Sequence, residues 1–405
     1  MKFSVVNLGC KVNRVESDNI AAAFLAQGHT FAENDDADMV VVNTCTVTEE
    51  AERKTRKAVR HALAANPRAT VIVSGCASAL HPDEYEALDK RICVVSRLEL
   101  ESRISDFAQR ALILRTGEPF NTRVNVKVQD GCDNDCSYCI VHVARGPARS
   151  VAFSQVVREV DTFARAGVRE IVLTGINLGT YFDEGKDLAA LLETLLELTV
   201  NLPDADHPVR FRIGSIEPQN IDDRLIDVIA QGQGRICRHL HLPLQSGSSA
   251  VLEQMRRHYR AQDFLNLVDN MYTRIPQLSL STDIIVGFPG ETDEQFQETL
   301  EVARRCRFSK IHVFPYSKRA GTQAAVRSDQ IDAETKRNRA RILRNLATEL
   351  READFTARIG TTEAVLVEPS CALTESYHEI ARPENADVGE LIDVVLERTH
   401  ENGDK

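Results

Sequence analysis

Apolar and polar positions in the first hundred residues alternate between strand-like and helical patterns. Three short runs rich in β-branched residues, "FSVVNLGC", "DMVVVNTC" and "TVIVSGC", are typical of buried strands. Helical patterns separate them, one around residues 17 to 27 and one from about 48 to 65. Because strands that alternate with helices form parallel sheets, an open parallel α/β sheet is predicted here.

A second array of alternating strands and helices begins at about residue 118. Six segments are predicted to form an open, partial (β/α)6 barrel: "RVNVKVQDGC", "EIVLTGIN", "VRFRIGSIEP", "RHLHLPLQSGS", "LSLSTDIIVGFPGET" and "KIHVFPYSKRAGT". Each segment runs into polar or glycine-rich residues. Active sites of such barrels lie at the carboxyl ends of the strands, so the site is expected there.

The remaining pattern predicts one long charged helix over residues 331 to 358 and then a small all-β module. "EAVLVEP" and "GELIDVVLE" are the plainest strands of that module. The chain is therefore predicted to be an α/β protein of three domains, spanning residues 1–115, 118–355 and 356–405.

The length of the chain and its cysteine content restrict the kinds of chemistry that we expect. A chain of 405 residues can bury a large core without disulfides. The apolar run in "MKFSVVNLGCK" is too short for a signal peptide, and no segment approaches the ~20 apolar residues of a membrane span. A cytoplasmic protein without membrane contact is expected, and clustered thiols among its ten cysteines then indicate metal ligation or redox chemistry.

Two sets of three cysteines stand out. Cys10, Cys45 and Cys76 each follow one of the first three strands, so they are expected to converge at one sheet edge, unless they are merely small residues in tight turns. The second set, in the loop "GCDNDCSYC", follows the first barrel strand: Cys132, Cys136 and Cys139.

Thiolates are soft ligands that suit iron–sulfur clusters and zinc. A four-iron cluster held by three thiolates leaves one iron open for a substrate or cofactor, whereas a structural zinc loop is the plain alternative for the barrel cysteines. Four other cysteines lack ligand spacing and are interpreted as structural: Cys93, Cys237, Cys306 and Cys371.

The cysteine loop, with Tyr138 before its last cysteine, resembles the signature of the radical S-adenosylmethionine (SAM) enzymes. The resemblance covers nearly the whole chain and extends to the methylthiotransferase family through "NLGCKVNRVES", "VNTCTVT", "VSGCA", "LTGINLG", "SIEP", "HLPLQSGS" and "TDIIVGFPGET". The form "LGCKVN" resembles the branch that acts on N6-threonylcarbamoyladenosine beside the tRNA anticodon.

That resemblance implies two four-iron clusters, one on each set of cysteines, and two molecules of SAM per reaction. One SAM methylates sulfur on the auxiliary cluster of Cys10, Cys45 and Cys76. The other yields a 5′-deoxyadenosyl radical that removes hydrogen from C2 of the adenine. The expected partners are a tRNA anticodon stem-loop and an electron donor such as flavodoxin or ferredoxin, with the sulfur donor left open.

The resemblance also implies SAM contacts at strand ends. The residues concerned are Tyr138, Thr174, Gly175, Asn177, Ser215, Glu217 and Gly287. Gly290 is interpreted as the start of a helix whose free amides favour polar ligand atoms. The chain departs from the family pattern at Ala148 and Val151, while Arg145 and Arg149 remain candidates for SAM or phosphate contacts. His239 and His241 share a strand face, as cavity residues or as satisfied interior histidines.

The net charge of −11 argues against nucleic acid, but two helices carry clustered basic residues. These are Arg53, Lys54, Arg56, Lys57, Arg60 and His61 on one helix, and Lys336, Arg337, Arg339, Arg341 and Arg344 on the other. Either run is an RNA-binding surface or simply a solvated face. The C-terminal module resembles a shortened TRAM domain, an RNA-binding β fold.

Three alternatives stay open. Related branches methylthiolate isopentenyladenosine in tRNA or an aspartate of a ribosomal protein, and "LGCKVN" differs from the "LGCPKN" form of the latter branch. A non-enzymatic metal-cluster protein that binds RNA is the alternative of another class. It predicts no cleavage of SAM.

Overall fold

The computed structural model describes residues 1–110, 112–115, 122–200, 208–232 and 234–398. Two parts of the predicted domain division, the boundary near residues 116 to 118 and the chain end at 399 to 405, lie outside these residues. In the described part, no helix is both long enough and apolar enough to cross a bilayer.

The N-terminal segment forms the predicted parallel sheet. Its strands are β1 (Lys2–Asn7), β2 (Thr30–Phe31), β3 (Met39–Thr44), β4 (Thr70–Gly75) and β5 (Ile92–Val94). They run in the order β2-β1-β3-β4-β5, and every pairing is parallel. The helices are α1 (Lys11–Ala26), α2 (Glu49–Ala65), α3 (Cys76–Leu80), α4 (Pro82–Glu86) and α5 (Arg97–Arg110). The carboxyl ends of β1, β3 and β4 therefore share one edge.

Helix α1 begins at Lys11, not near residue 17 as the pattern predicted. Its first turns bury Asn13 and Glu16, which are polar, against the strand ends and the barrel. Val12 and Val15 of the same turns are buried as well, so polar residues interrupt the apolar period and the helix start was missed. The earlier start makes Cys10 the residue that precedes the helix.

The central segment contains the predicted six-stranded parallel array. The six strands of the array are β6 (Val124–Lys127), β9 (Glu170–Thr174), β12 (Arg210–Ile213), β13 (His239–His241), β14 (Ser279–Val286) and β15 (Lys310–Pro315). Two short antiparallel pairs accompany them, β7 (Gln129–Asp130) with β8 (Arg149–Ser150) and β10 (Phe182–Asp183) with β11 (Lys186–Asp187). Parallel pairing runs β6-β9-β12 and β13-β14-β15, and parallel bridges, including Ser215 with His241, join the two halves. The result is a partial barrel with β6 and β15 at its open edges.

Helices cover the outside of this barrel. They are α7 (Phe153–Arg165), α8 (Leu188–Thr199), α9 (Asp223–Ala230), α10 (Ser249–Gln254), α11 (Ala261–Arg274) and α12 (Asp293–Cys306), while the short α6 (Val141–Arg145) follows the cysteine loop and contacts α3. Leu173 on β9 packs in one buried cluster with Phe163 and Leu192 of the helices. Since successive strand residues point to opposite faces, Val172 points into the barrel lumen instead. The apolar core therefore lies outside the sheet, and the lumen is left for polar residues.

The N-terminal sheet covers the open side of the barrel. Helix α1 packs against edge strand β6. Beyond the other edge strand, Arg319 pairs with Glu52 and donates to Thr46 Oγ1 at 3.0 Å. The backbone N–H of Glu49 donates to Ser317 Oγ at 3.0 Å. The lumen is thus enclosed where the barrel itself does not close.

The C-terminal segment consists of α13 (Ala333–Arg358) and an antiparallel sheet. The strands β16 (Thr362–Val367), β17 (Ala372–Thr374), β18 (Glu379–Ile380) and β19 (Leu391–Val395) pair in the order β18-β17-β16-β19. The sheet docks on the amino ends of the barrel strands. Arg212 Nη1 donates to the carbonyl of Glu375 at 3.0 Å, and Ser279 Oγ donates to that of Ser376 at 2.8 Å. The likeness of this module to a TRAM domain stays a prediction.

Helix α13 starts at a strong cap. The carboxylate of Asp332 accepts hydrogen bonds from the N–H groups of Glu334 and Thr335, each at 2.9 Å. Replacing Asp332 by alanine is expected to cost about 1 kcal/mol of local stability because these amides lose their acceptor. Amide hydrogen exchange over the first turn of α13 should speed up about fivefold. Asp35→Ala, in an exposed turn, is the matched control and should leave exchange in α13 unchanged.

Candidate active site: two cysteine triads on one lumen

The first triad forms at the carboxyl edge of the N-terminal sheet. Cys45 and Cys76 directly follow β3 and β4 and are buried, while Cys10 follows β1 and keeps an exposed thiol. A Cβ added to Gly9 would lie 2.7 Å from Cys45 Sγ, so the Cys10 loop packs directly on Cys45. Gly9 has a φ of +101°, a conformation that glycine adopts without strain. The structure therefore brings the three cysteines together.

Two asparagines hold these loops in place. Asn13 Nδ2 donates to the carbonyls of Leu8 at 2.7 Å and Thr44 at 2.9 Å, and it thereby joins the two cysteine loops. Asn43 Nδ2 donates to the backbone carbonyl of Asn13 at 2.9 Å. Both lie in quoted motifs, "LGCKVN" and "VNTC", but their part in the site was missed. Buried asparagine near a strand end was the available signal.

The second triad lies in the loop after β7. The loop begins with Gly131, which has a φ of +73°, and a Cβ there would lie 2.0 Å from the carbonyl oxygen of Pro147. The N–H of Cys139 donates to the carbonyl of Cys136 at 3.0 Å. The N–H of Val141 donates to Cys139 Sγ at 3.4 Å. This hydrogen bonding folds the loop so that its thiols share one side.

Burial makes both triads poor places for bare thiolates. It raises the pKa of Cys76 and that of Cys139 to about 12. Neighbouring thiols raise these pKa values further, since Cys10 and Cys45 act on Cys76, and Cys136 acts on Cys139. At neutral pH such thiols are protonated, and a bound cation would be needed to ionise them.

Each triad offers three thiols to a metal site. Three thiolates leave one metal of a four-iron cluster open, whereas a structural zinc site takes four protein ligands. The donor set of both triads therefore fits an open cluster.

Arg257 links the second triad to another predicted motif. Its Nη1 lies 3.4 Å from Cys136 Sγ, and its other Nη pairs with the carboxylate of Glu217. The guanidinium lies over the Tyr259 ring at 5.1 Å. Arg257 was missed because no motif marks it, and of the two consecutive arginines in "MRRHY" only Arg256 is exposed. Glu217 and Ser215 both follow β12, as predicted for residues at a strand end.

The end of β9 presents a free acceptor. Thr174 ends the strand. The backbone N–H of Asn177 donates a hydrogen bond to Gln129 Oε1 at 2.8 Å. A Cβ on Gly175 would lie 2.9 Å from the same Oε1. Asn177 Oδ1 is buried without a hydrogen-bond partner among the described residues. An orphan acceptor here fits a ligand that donates a hydrogen bond, so Thr174, Gly175 and Asn177 stay predicted SAM contacts.

The segment after β14 differs from its prediction. Helix α12 begins at Asp293 and is capped by Thr292, whose Oγ1 accepts from Gln295, so Gly290 does not start a helix with free amides. Gly287 has a φ of +70°, and a Cβ there would lie 2.2 Å from Cγ of Lys336 on α13. Tyr138 packs nearby against a buried aromatic and apolar cluster. The Thr292 side chain therefore satisfies a first-turn amide that was predicted to be free for a ligand.

Arg145 occupies the junction of the two domains and is not available to SAM or phosphate. It is buried, and its Nη1 pairs with Glu16 of α1 and with Asp130 of β7, each at 2.9 Å. Its Nη2 donates to Asn13 Oδ1 at 2.5 Å. Arg149 also pairs with Asp130, at 3.1 Å. Arg145 thus contacts Asn13, which holds the first triad, and belongs to the helix that follows the second.

The charges at this junction balance one another. Burial alone would raise the pKa of Asp130, but Arg145, Lys127 and Arg97 outweigh it and hold that pKa well below its usual range. A depressed carboxyl pKa contributes stability that is present above the unfolded value of about 4 and is lost as the pH falls. Ala148 and Val151, the departures from the family pattern, donate backbone N–H bonds to Asp133 Oδ1 and Val128 O.

The barrel lumen is lined by polar side chains. His239 Nε2 and His241 Nδ1 both lie 2.9 Å from Ser281 Oγ. His239 stacks on the ring of Tyr377, with centroids 4.6 Å apart, and burial lowers its pKa well below the usual value. His241 Nε2 lies 3.3 Å from Asp283 Oδ1. The two histidines are therefore hydrogen-bonded residues of the lumen wall, which combines both interpretations offered for them.

The basic residues of helices α2 and α13 differ in their exposure. On α2, Arg53, Lys54, Lys57, Arg60 and His61 are exposed. On α13, Arg337, Arg341 and Arg344 are exposed. Arg339 is buried and pairs with Glu291 at 2.6 Å and Asp293 at 2.7 Å, so it is not part of an RNA-facing surface.

Two family models match the chain. The Radical SAM superfamily matches residues 126–303, and the Uncharacterized protein family UPF0004 matches residues 2–96. The first match covers the barrel cysteine loop and the strand ends, and the second covers the N-terminal sheet with its triad.

Curated proteins are similar along most of the chain. Threonylcarbamoyladenosine tRNA methylthiotransferase MtaB of Bacillus subtilis is 36% identical over 392 residues, which cover 92% of this chain and 85% of the relative. The MtaB protein of Thermotoga maritima is 34% identical over 379 residues, with coverages of 90% and 86%. The tRNA-2-methylthio-N(6)-dimethylallyladenosine synthase of Bacillus velezensis is 35% identical over 394 residues, with coverages of 91% and 76%.

Solved structures share the fold. The radical SAM methyltransferase TsrM from Kitasatospora setae has a TM-score of 0.59 at 14% identity, over 80% of this chain and 77% of that one. The cobalamin-dependent radical SAM enzyme OxsB has a TM-score of 0.53 at 10% identity, over 87% and 56%. These likenesses concern the fold alone. Together with the curated relatives, the family matches establish that the chain belongs to the radical SAM methylthiotransferases, enzymes whose cofactors are S-adenosylmethionine and two four-iron clusters.

Proposed function

We propose that this enzyme converts N6-threonylcarbamoyladenosine beside the tRNA anticodon to its 2-methylthio derivative. The observation that carries the proposal is the placement of two cysteine triads around one enclosed polar lumen, with Arg145 between them. The similar MtaB proteins bear this activity in their names. A base that enters the lumen would meet both metal sites, which is what sulfur insertion at an unactivated carbon requires.

Each triad has a separate part in this proposal. When bound, the clusters supply electron transfer to SAM and a carrier for sulfur. Cys132, Cys136 and Cys139 hold the cluster that binds SAM, and Arg257 orients Cys136 while it also positions Glu217. Cys10, Cys45 and Cys76 hold the auxiliary cluster. The strand ends at Thr174, Asn177 and Ser215 bind and orient SAM, and the surrounding domains exclude water.

RNA reaches the lumen as an unpaired nucleotide. A base inside a duplex cannot enter an enclosed site, whereas an anticodon-loop nucleotide can be splayed out at small energetic cost. The exposed basic residues of α2 are the proposed contact for the phosphates of the stem, because like charges at one face attract an anionic backbone. Reduction of the SAM cluster is assigned to a small electron carrier such as flavodoxin or ferredoxin, in the cytoplasm.

Nucleoside mass spectrometry tests this function. tRNA from a strain that lacks the gene should contain N6-threonylcarbamoyladenosine without its 2-methylthio derivative, and expression of the chain should restore the derivative. Loss of 2-methylthio-isopentenyladenosine alone would instead assign the other tRNA substrate. If neither nucleoside changed, the ribosomal-protein branch would replace the proposal. Cleavage of SAM by the reduced protein, measured as 5′-deoxyadenosine, distinguishes all three from a non-enzymatic cluster protein.

A further inference from the structure

A cavity of about 190 Å³ lies where the three parts of the chain meet. Cys10, Lys11 and Arg14 line it from the N-terminal domain, Arg123 and Asn125 from the start of the barrel, and Tyr377 from the C-terminal sheet. Because Cys10 lines this cavity, anything bound in it lies beside the first triad. The cavity is large enough for several water molecules, each of which takes about 30 Å³ in the liquid.

The lining contains three cationic side chains and no carboxylate. Two of the cations have partners outside the cavity, since Arg14 pairs with Asp18 at 2.8 Å and Arg123 pairs with Glu368 at 2.8 Å. Among the described residues, Lys11 has no carboxylate within 4.0 Å, and its ammonium lies 5.7 Å from the centre of the Tyr377 ring. Of the three cavity cations, Lys11 is therefore the one whose partner a bound anion could supply.

Positive charges also surround the hydroxyl of Tyr377. Burial acts to raise its pKa, but Lys11, Arg123 and Arg212 outweigh that effect and lower the pKa below its usual value. The residue has a φ of +73°, a conformation that costs free energy for a side chain other than glycine. Its ring is held in place by the stack on His239. The C-terminal sheet thus carries a strained residue whose side chain completes the cavity wall.

We propose that this cavity binds the carboxylate at the end of the N6 substituent of the substrate adenosine, and that Lys11 is its counter-ion. The inference rests on the proposed function. A threonylcarbamoyl group ends in a free carboxylate, whereas a dimethylallyl group is a hydrocarbon without charge. A cation that lacks a carboxylate partner favours the first, whereas the second would cover the cation without offering it a hydrogen-bond acceptor. Lys11 and Tyr377 are therefore specificity determinants between two tRNA substrates.

The decisive comparison uses the wild-type holoenzyme and two anticodon stem-loops of identical sequence. One carries N6-threonylcarbamoyladenosine, and the other carries the same nucleoside with its carboxylate converted to a carboxamide. Direct binding and KM are expected to be weaker for the carboxamide by about 10- to 100-fold, the range of a charge-assisted hydrogen bond. Equal affinity for the two RNAs would overturn the proposal. Because both RNAs carry the same phosphates, binding of the backbone cannot produce the difference.

Variants assign that difference to the cavity. Lys11→Met should reduce the preference for the carboxylate to less than about threefold, while Lys90→Met, an exposed lysine outside the cavity, should retain it in full. Tyr377→Phe removes only a hydroxyl and should reduce the preference by about three- to fivefold. An undiminished preference in both cavity variants would refute the assignment. The iron content of Lys11→Met shows whether this variant, changed next to Cys10, still assembles its clusters. If it does not, Tyr377→Phe is the variant that tests the assignment.

Failure of this inference differs from failure of the proposed function. If the wild-type enzyme forms no 2-methylthio product on the threonylcarbamoyl RNA but does so on an isopentenyladenosine RNA, the proposed substrate is wrong. If it forms the expected product and accepts the carboxamide equally well, only the role of the cavity is wrong.

Discussion

Cys136→Ala is expected to abolish cleavage of SAM, whereas Cys76→Ala should abolish only the methylthiolated nucleoside. Cys136 belongs to the loop that follows β7, next to Arg257 and the strand ends proposed to bind SAM. Cys76 starts α3 on the N-terminal sheet, so its loss leaves the loop of the barrel intact. Both reactions can be measured on the purified, reduced protein, as 5′-deoxyadenosine and as modified nucleoside.

Cys371→Ala is the matched control for both variants. This thiol lies before β17, outside both triads, and its Sγ lies 3.7 Å from a Glu368 carboxylate oxygen. It should leave SAM cleavage and product formation within about twofold of wild type. Cleavage of SAM at the wild-type rate by Cys136→Ala would contradict the assignment of the barrel triad. Full product formation by Cys76→Ala would contradict that of the first triad.

Arg145→Met is expected to destabilise the junction between the N-terminal sheet and the barrel by about 3–5 kcal/mol. The variant keeps a long side chain but leaves Glu16 and Asp130 buried with fewer positive partners, which is the costly way to break a buried ion pair. Urea denaturation should show a lower midpoint, and hydrogen exchange should rise in α1 and α6. Arg145→Lys should recover only part of the loss, because an ammonium does not form the same fork of hydrogen bonds.

Arg165→Met provides the comparison for an exposed pair. Arg165 pairs with Asp161 at 2.9 Å on the surface of α7, so its loss should change stability by about 0.5 kcal/mol or less. The double variant Arg145→Met/Glu16→Gln should be less destabilised than the sum of its two single variants, because Arg145 and Glu16 belong to one network. If Arg145→Met unfolded at the same urea concentration as Arg165→Met, the junction would not depend on this guanidinium.

Much of the architecture could be predicted from local pattern. The parallel strands of the N-terminal sheet, the six barrel strands and the long helix α13 all carry their own apolar periodicity and capping residues. In the first turns of α1 that signal is interrupted, because polar Asn13 and Glu16 are buried beside Val12 and Val15. The start of α12 was placed too early, since Thr292 and not Gly290 supplies the cap.

By itself, the sequence determined the family and predicted the cysteine ligands and the strand ends proposed to bind ligands, because short motifs and strand periodicity are local properties. Only the tertiary structure decided what surrounds them. Arg145 was a candidate for SAM or phosphate contact and Arg257 was missed, yet both are buried, Arg145 beside carboxylates and Arg257 beside a cysteine thiol. Lys11 and Tyr377 are more than 360 residues apart and line one cavity. Charge balance and burial depend on neighbours distant in sequence, so no local pattern encodes them.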